Sequence, residues 1–185
     1  MPNVIVIAGP NGAGKSTLAP SLLQNVFGNI EFLNADDIEA ALETHGRVDI
    51  EAGKEMIRRF DELAARRESF AIETTLSGRT YARSLRRLKD DGYTVQIAFL
   101  WLPDVELSIQ RVAERVRKGG HDIPEDTIRR RFGRGIRNFL MVYLPLADVW
   151  RLYDASSEEP RIVAFGDKVD GDTIADEALW QKITG

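Results

Sequence analysis

The sequence predicts an α/β fold of three layers, in which helices cover both faces of a mostly parallel β-sheet. Short runs of β-branched and apolar residues alternate with segments in which apolar residues recur at helical spacing. Glycine or proline separates many of these segments, as Gly9 and Pro10 do after the run Val4–Ala8. Strands that alternate with helices are joined by right-handed crossovers, which build a parallel sheet between helical layers.

The predicted strands are short, and most are rich in valine, isoleucine and phenylalanine, as expected for strands buried on both faces. They lie at residues 4–8, 30–33, 70–72, 93–102, 149–153 and 161–165. The third strand ends at Glu73, and Asp91-Gly92 turns the chain into the fourth. A polar turn at residues 156–160 joins the last two strands.

The predicted helices each carry an apolar stripe at spacings of three and four residues. They lie at residues 16–27, 51–67, 80–90 and 104–118, and a fifth runs from Pro124 to Pro145. Asp104 is placed to cap its helix, and Gly119-Gly120 ends that helix. Residues 169–185 are expected to form a short helix or a frayed tail.

Composition indicates one ordered globular domain, residues 1–185, with residues 117–126 as a candidate lid. The chain has 185 residues, of which 43% are hydrophobic, and a net charge of −4. The absence of cysteine excludes disulfides, thiolate catalysis and cysteine–zinc sites, and two histidines exclude a multi-histidine metal site. Neither a signal peptide nor a membrane span is expected, so the predicted location is cytoplasmic.

The strongest motif is a phosphate-binding loop. Residues Gly9–Ser16 match G-x-x-x-x-G-K-[ST], and they follow a predicted strand and open a predicted helix. Backbone N–H groups and the helix N-terminus would surround phosphate oxygens, Lys15 would reach the β- and γ-phosphates, and Ser16 would coordinate Mg²⁺. The motif predicts a P-loop phosphotransferase that binds ATP or GTP with Mg²⁺. The predicted nucleotide-binding residues of the loop are Gly9, Asn11, Gly12, Ala13, Gly14, Lys15, Ser16 and Thr17.

Polar residues follow the second and third strands, where ligands of parallel sheets bind. Asp36, Glu73 and Thr75 are therefore expected to face the mouth of the phosphate-binding loop. Asp36 is a candidate to orient or deprotonate an attacking hydroxyl, or it caps the next helix. Glu73 is a candidate to bind a magnesium-bound water or a substrate hydroxyl, or it forms an ion pair with a nearby arginine such as Arg79.

A basic segment follows later in the chain. Residues 111–137 contain nine Lys or Arg and four Asp or Glu. Arg111, Arg115 and Lys118 share one helix face, and such a face suits a lid that lowers arginines onto a triphosphate. The alternative is a solvated basic surface. Phe132 is the one aromatic residue among these charges, and no series of aromatics is interleaved with them, so nucleic acid is not an expected partner.

Two P-loop families come into question. The loop Asn11–Thr17 and the later Leu76-Ser77-Gly78 resemble ABC-type ATPases, but the strand that follows ends at Leu102-Pro103-Asp104 without the Asp-Glu pair that those proteins need. Asn34-Ala35-Asp36-Asp37-Ile38, Glu73–Arg79 and the arginine-rich segment instead resemble the zeta toxin family, over roughly residues 4–155.

This resemblance implies a fold close to small nucleoside and nucleotide kinases. It also implies phosphorylation of a sugar nucleotide, UDP-N-acetylglucosamine, by ATP or GTP, and inhibition by a separate small antitoxin. Asp36 matches the family's catalytic base, and Thr75, Arg79 and Glu55 match its substrate-binding residues. Two arginines that clamp the nucleotide phosphates are expected among Arg111, Arg115, Arg130 and Arg131. Arg115 and Arg131 are assigned to catalysis with Lys15 and Asp36, and Arg111 and Arg130 to nucleotide binding.

Two other hypotheses remain open. The chain could be a kinase of the same fold with another acceptor, such as a nucleoside, a nucleotide or an antibiotic. It could also be a nucleotide-dependent switch that hydrolyses ATP slowly and acts through a partner.

Overall fold

The computed structural model describes residues 1–27, 30–34 and 48–185, and seven strands within these ranges form one sheet. The strands are β1 (Asn3–Ala8), β2 (Glu31–Leu33), β3 (Phe70–Thr74), β4 (Thr94–Trp101), β5 (Val149–Asp154), β6 (Arg161–Asp167) and β7 (Gly171–Ile174). Their order is β2-β3-β1-β4-β5-β6-β7. The first five of these strands are parallel, and the last two pairings are antiparallel. The predicted α/β fold with a mostly parallel sheet is confirmed.

The helices of the described residues are α1 (Lys15–Phe27), α2 (Val48–Arg66), α3 (Thr80–Asp90), α4 (Val105–Arg117), α5 (Glu125–Asn138) and α6 (Glu177–Thr184). The predicted fifth helix differs from a continuous α-helix. It changes after Asn138 into a π-helical turn, Phe139–Tyr143, and then into a 3₁₀ turn, Leu144–Leu146. The N–H of Leu144 donates to the carbonyl of Phe139 across the wider turn. Pro145 has no N–H and cannot continue the helix.

β1 lies at the centre of the sheet and has a core on each face. Val4, Val6 and Ala8 pack into one apolar cluster, and Ile5 and Ile7 pack into the other. Successive side chains of a strand point to opposite faces, so the continuous apolar run of β1 matches burial on both sides. This arrangement produces the three predicted layers. Within the described ranges, no helix is both long and apolar enough to span a bilayer.

Two sets of contacts hold helix α4 against helix α5. A small apolar cluster of Val112, Ile123 and Ile128 packs α4 against α5. Salt bridges from Arg129 to Glu106 support the same contact. Residues 118–124 therefore connect two helices that are fixed to each other. The assignment of residues 117–126 as a lid stays a prediction.

Candidate active site

The phosphate-binding loop connects β1 to α1, as the motif predicts. Gly9, Gly12 and Gly14 have φ angles of 143°, 75° and 84°, which L side chains rarely adopt. A Cβ atom at Gly9 would also lie 2.4 Å from the carbonyl oxygen of Leu100 in β4. The glycines therefore allow the loop to curl and to pack closely against the neighbouring strand.

Helix α4 supports the loop from outside. The buried Ser108 Oγ donates a 2.5 Å hydrogen bond to the carbonyl of Asn11. Arg111 donates to the carbonyls of Ala155 and Ser156, at 2.7 and 2.8 Å, and lies 3.5 Å from the carbonyl of Gly12. The guanidinium of Arg111 thus joins the phosphate-binding loop to the turn after β5. Sequence reasoning missed Ser108, whose only signal is a polar residue beside an apolar stripe.

Lys15, Ser16 and Glu73 form a hydrogen-bonded polar group at the mouth of the loop, in which Lys15 and Glu73 are buried and Ser16 is exposed. Lys15 Nζ donates to the carbonyl of Pro10 at 3.0 Å and lies 3.7 Å from Glu73 Oε1. Ser16 Oγ donates to Glu73 Oε2 at 2.8 Å. Lys15 and Glu73 are 6% and 9% exposed. Glu73 is therefore paired with Lys15, whereas the sequence left open an ion pair with an arginine.

Two cavities meet at this polar group. The larger has a volume of about 820 Å³ and the smaller about 210 Å³. Gly12, Lys15, Glu73 and Arg115 line both. The larger cavity is also lined by Ala13, Gly14, Ser16, Thr17, Leu18, Arg111, Glu114, Lys118, Gly120, Ser157, Glu158 and Pro160. The smaller is also lined by Asn11, Asn34, Thr74, Thr75, Ser77, Tyr81 and Arg131.

The larger cavity has a volume typical of small-molecule sites and lies along the phosphate-binding loop. The smaller cavity lies at the carboxyl end of β3, where Thr74 and Thr75 leave the sheet. A group bound in one cavity would meet a group bound in the other beside Lys15.

The segment after β3, residues Thr75–Arg79, is named here the β3–α3 loop. Its Leu76 has a φ of 52°, uncommon for a residue other than glycine, and its side chain is fully buried. The N–H of Leu76 donates to Thr74 Oγ1 at 3.1 Å, and Thr75 Oγ1 donates to Ser77 Oγ at 3.0 Å. These local bonds fix the hydroxyl groups of Thr74, Thr75 and Ser77, three residues that line the smaller cavity.

The end of α5 and the π-helical turn hold the β3–α3 loop in place. Asn138 Nδ2 donates to the carbonyl of Leu76 at 2.8 Å, and Tyr143 Oη donates to the carbonyl of Gly78 at 2.8 Å. Arg79 Nε donates to Asn138 Oδ1 at 3.5 Å. Sequence reasoning missed Asn138 and Tyr143, because their contacts are long-range and have no local signature.

Gly135 is a third contact of this kind. A Cβ atom at Gly135 would lie 2.6 Å from the carbonyl oxygen of Thr75. Helix α5 thus approaches the backbone of the β3–α3 loop more closely than any side chain would permit.

The predicted arginines separate into distinct environments. Arg115 lines both cavities, and its Nη2 donates to the carbonyl of His121 at 2.9 Å. Arg131 lines the smaller cavity. Arg130 is exposed, lies 3.4 Å from Thr127 Oγ1, and is not among the described residues that line either cavity. The assignment of Arg130 to nucleotide binding gains nothing from this geometry and stays a prediction.

Of two further predicted substrate residues, one lines neither cavity and the other lies outside the described part of the chain. Glu55 lies on α2, where it accepts hydrogen bonds from Arg58 at 2.7 Å and Arg59 at 2.9 Å. The bonds from Arg58, and then from Arg59, lower the pKa of Glu55 to about 2. Glu55 is not among the described residues that line the two cavities. Asp36, the predicted base, lies outside the described residues, although the preceding Asn34 is buried and lines the smaller cavity.

Comparison with known proteins identifies relatives of this site and fold. The family model described as zeta toxin matches residues 1–143. An uncharacterized protein of Haemophilus influenzae is 31% identical over 130 residues, which are 69% of this chain and 91% of that protein.

Solved structures share the fold at lower identity. A chain of the AvrRxo1-ORF1:-ORF2 complex, crystallised with ATP, has a TM-score of 0.80 at 21% identity. The match covers 100% of this chain but only 64% of that one, so this chain spans less than two thirds of that length. A chain of the PezAT toxin–antitoxin system of Streptococcus pneumoniae has a TM-score of 0.66 at 22% identity, covering 98% of this chain and 78% of that chain. These likenesses confirm the predicted α/β P-loop kinase fold.

The family model covers 143 of the 185 residues and includes the whole P-loop, Lys15–Glu73 pair and β3–α3 loop. This chain therefore belongs to the zeta toxin family of P-loop phosphotransferases.

Proposed function

We propose that this chain transfers the γ-phosphoryl group of ATP or GTP to a hydroxyl group of UDP-N-acetylglucosamine or a related sugar nucleotide. The observation that carries the proposal is the meeting of two cavities at Lys15, Glu73 and Arg115. A phosphoryl transferase needs a donor and an acceptor on opposite sides of one phosphoryl group. A switch that only hydrolyses a nucleotide has no need of a second built cavity.

The larger cavity suits the nucleotide. It is lined by residues of the glycine-rich loop and of the N-terminus of α1, whose backbone N–H groups favour phosphate binding. Lys15 would exchange its bonds to Pro10 and Glu73 for bonds to the β- and γ-phosphates. Arg115, which lines both cavities, would stabilise the charge that develops on the transferred group. The ATP-bound structural relative supports ATP as the donor.

Ser16 and Glu73 fit a Mg²⁺ site. The hydroxyl and the carboxylate oxygen lie 2.8 Å apart, and oxygen donors of this kind suit Mg²⁺, which keeps several waters and also binds substrate phosphates. Ser16 would hold the ion directly and Glu73 through a bound water, and the ion would neutralise charge on the β- and γ-phosphates. Glu73, whose Oε1 lies 3.7 Å from Lys15 Nζ, would also orient Lys15 before the nucleotide binds.

The smaller cavity suits a polyhydroxylated acceptor that carries a negative charge. Thr75, Ser77 and Tyr81 offer hydroxyl groups, and Arg131 adds positive charge at the same cavity. Neutral donors and acceptors match sugar hydroxyls, and arginine matches a phosphate group. Arg79 belongs to the β3–α3 loop that borders this cavity, its side chain is held by Asn138, and it would extend the positive charge.

Asp36 is proposed as the base that orients or deprotonates the attacking hydroxyl. It follows Asn34, which lines the smaller cavity, by two residues. A carboxylate there would face the side of the γ-phosphate from which the acceptor attacks. An Asp36→Asn variant is expected to lose turnover and to keep its affinity for nucleotide.

A separate small antitoxin and a cytoplasmic location are proposed from the family relationship. The PezAT structural relative belongs to a toxin–antitoxin system, which supports a partner of this kind. An enzyme that consumes ATP and a sugar nucleotide works where both are supplied.

The test is a phosphorylation assay with purified protein, Mg²⁺, ATP and UDP-N-acetylglucosamine, followed by mass spectrometry. One added phosphate on the sugar nucleotide, absent with a Lys15→Ala variant, is the expected result. ATP binding without any phosphorylated product would reject this acceptor. The same assay on pooled nucleosides, nucleotides and sugar phosphates then tests the alternative that the fold phosphorylates another hydroxyl.

A further inference from the structure

Asn11 belongs to the phosphate-binding loop by sequence but borders the smaller of the two cavities. It lines that cavity and is not among the described residues of the larger one. Its neighbour Gly12 and the motif lysine, Lys15, line both. Asn11 thus borders the proposed acceptor cavity, although it belongs to a loop whose backbone would bind the donor.

The side-chain oxygen of Asn11 is buried without a hydrogen bond from the described part of the chain. The residue is 9% exposed, and its Oδ1 is fully buried and accepts no hydrogen bond within residues 1–27, 30–34 and 48–185. The backbone carbonyl of Asn11, by contrast, accepts a hydrogen bond from Ser108 Oγ at 2.5 Å. Leaving a buried polar atom unpaired destabilises a fold, so its retention in a cavity wall indicates that a ligand provides the partner.

We propose that Asn11 binds the phosphoryl acceptor: its side chain, whose Oδ1 is buried in this structure, rotates so that Oδ1 accepts a hydrogen bond from an acceptor hydroxyl in the smaller cavity. This inference rests on the proposed kinase function. The ligand class is a neutral polyol portion of the substrate, since an amide offers one acceptor and two donors and carries no charge. Thr75 and Ser77 line the same cavity and provide further groups for neighbouring hydroxyls. Asn11 therefore moves from the predicted nucleotide-binding set to the acceptor-binding set.

An Asn11→Leu variant tests the assignment, because leucine has nearly the same shape and no hydrogen-bonding group. The Michaelis constant for UDP-N-acetylglucosamine is expected to rise about tenfold, the effect of one lost neutral hydrogen bond. The dissociation constant for ATP is expected to stay within about twofold, since phosphates are held by backbone N–H groups. The melting temperature is expected to rise by about 2–4 °C, because an unpaired buried amide is removed.

Thr17→Val is the matched control. Thr17 lines only the larger of the two cavities, and valine preserves its shape while removing its hydroxyl. This variant is expected to change ATP affinity and to leave the Michaelis constant for the acceptor as in the wild type.

Three outcomes separate the possibilities. A lower melting temperature in Asn11→Leu would show that the amide stabilises the fold through a protein partner, and would overturn the inference. An active Asn11→Leu enzyme whose Michaelis constant for the acceptor is unchanged would also overturn the inference, while leaving the kinase proposal intact. A wild-type protein that binds ATP and phosphorylates no member of the acceptor pool would overturn both.

Discussion

Replacing Asn138 by leucine is expected to destabilise the protein and to weaken acceptor binding together. Asn138 is 7% exposed, and its amide contacts the β3–α3 loop three times. Its Nδ2 donates to the carbonyls of Leu76 at 2.8 Å and Gly78 at 3.5 Å, and its Oδ1 accepts from Arg79 Nε at 3.5 Å. Leucine fills the same volume and makes none of these contacts. The Leu76 carbonyl would then be left without its amide donor.

The magnitude follows from that carbonyl. A buried acceptor that loses its partner costs about 1–3 kcal/mol. Relaxation of Leu76 from its φ of 52° would recover only about 1–2 kcal/mol. That movement would also withdraw a fully buried leucine side chain from the core, and losing such a side chain costs about 2–5 kcal/mol. The loop is therefore expected to stay in place, with a net loss of about 2 kcal/mol.

Urea unfolding of both proteins measures this loss, and at this chain length it corresponds to a melting temperature about 4–8 °C lower. The Michaelis constant for the acceptor should rise in the same variant, because the loop that carries Thr75 and Arg79 loses its hydrogen bonds to residue 138. The affinity for ATP should not change. Asn11→Leu is the matched comparison, since the same substitution is expected there to have the opposite effect on stability. Equal or unchanged stability in the two variants would refute the hydrogen-bond accounting on which both expectations depend.

Three further predictions concern Glu73, Gly9 of the phosphate-binding loop, and Tyr143. Glu73→Gln is expected to lower kcat by about 10²–10³-fold and to raise the Mg²⁺ concentration needed for turnover, because Ser16 loses its charged partner; a Mg²⁺ titration measures this. Gly9→Ala is expected to lower the free energy of unfolding by at least about 1–3 kcal/mol and to abolish ATP binding, because its Cβ would lie 2.4 Å from the Leu100 carbonyl oxygen. Urea unfolding and nucleotide titration measure the two effects, and wild-type values in both would contradict this expectation. Burial raises the pKa of Tyr143 to about 12, so its proton is kept in the folded chain while the unfolded chain loses it near pH 10. Its stabilising contribution is therefore full below pH 10 and lost as pH rises toward 12, and a Tyr143→Phe variant should show a flatter stability profile over that range.

The parts of the fold that were predicted have local signatures. The six predicted strands are apolar runs, and the phosphate-binding loop is a contiguous motif with a strand before it and a helix after it. β7 was missed because Gly171–Ile174 contains one apolar residue and is mostly exposed. The change to π-helical geometry after Asn138 was missed because the apolar spacing of Phe139 and Tyr143 is the same as in an α-helix.

The side of a helix that faces the site was harder to predict than the helix itself. Arg130 and Arg131 are adjacent and have the same chemistry, but successive residues of a helix point about 100° apart. The packing of α5 turns Arg131 toward the smaller cavity and leaves Arg130 exposed. That rotation is set by Ile128, which packs with Val112 of α4, and by the close contact of Gly135 with Thr75.

The roles of the two buried asparagines depend on contacts that sequence alone does not contain. Asn11 and Asn138 have the same side chain and similar exposure, 9% and 7%. Asn138 uses its amide to hold a loop that lies about 60 residues earlier in the chain, so its function is complete in the folded protein. Asn11 Oδ1 has no such partner in the described residues, and the cavity that Asn11 lines is the one we propose for the acceptor hydroxyl. We therefore infer that the satisfied amide of Asn138 supports the site, whereas the unsatisfied oxygen of Asn11 is available for the substrate.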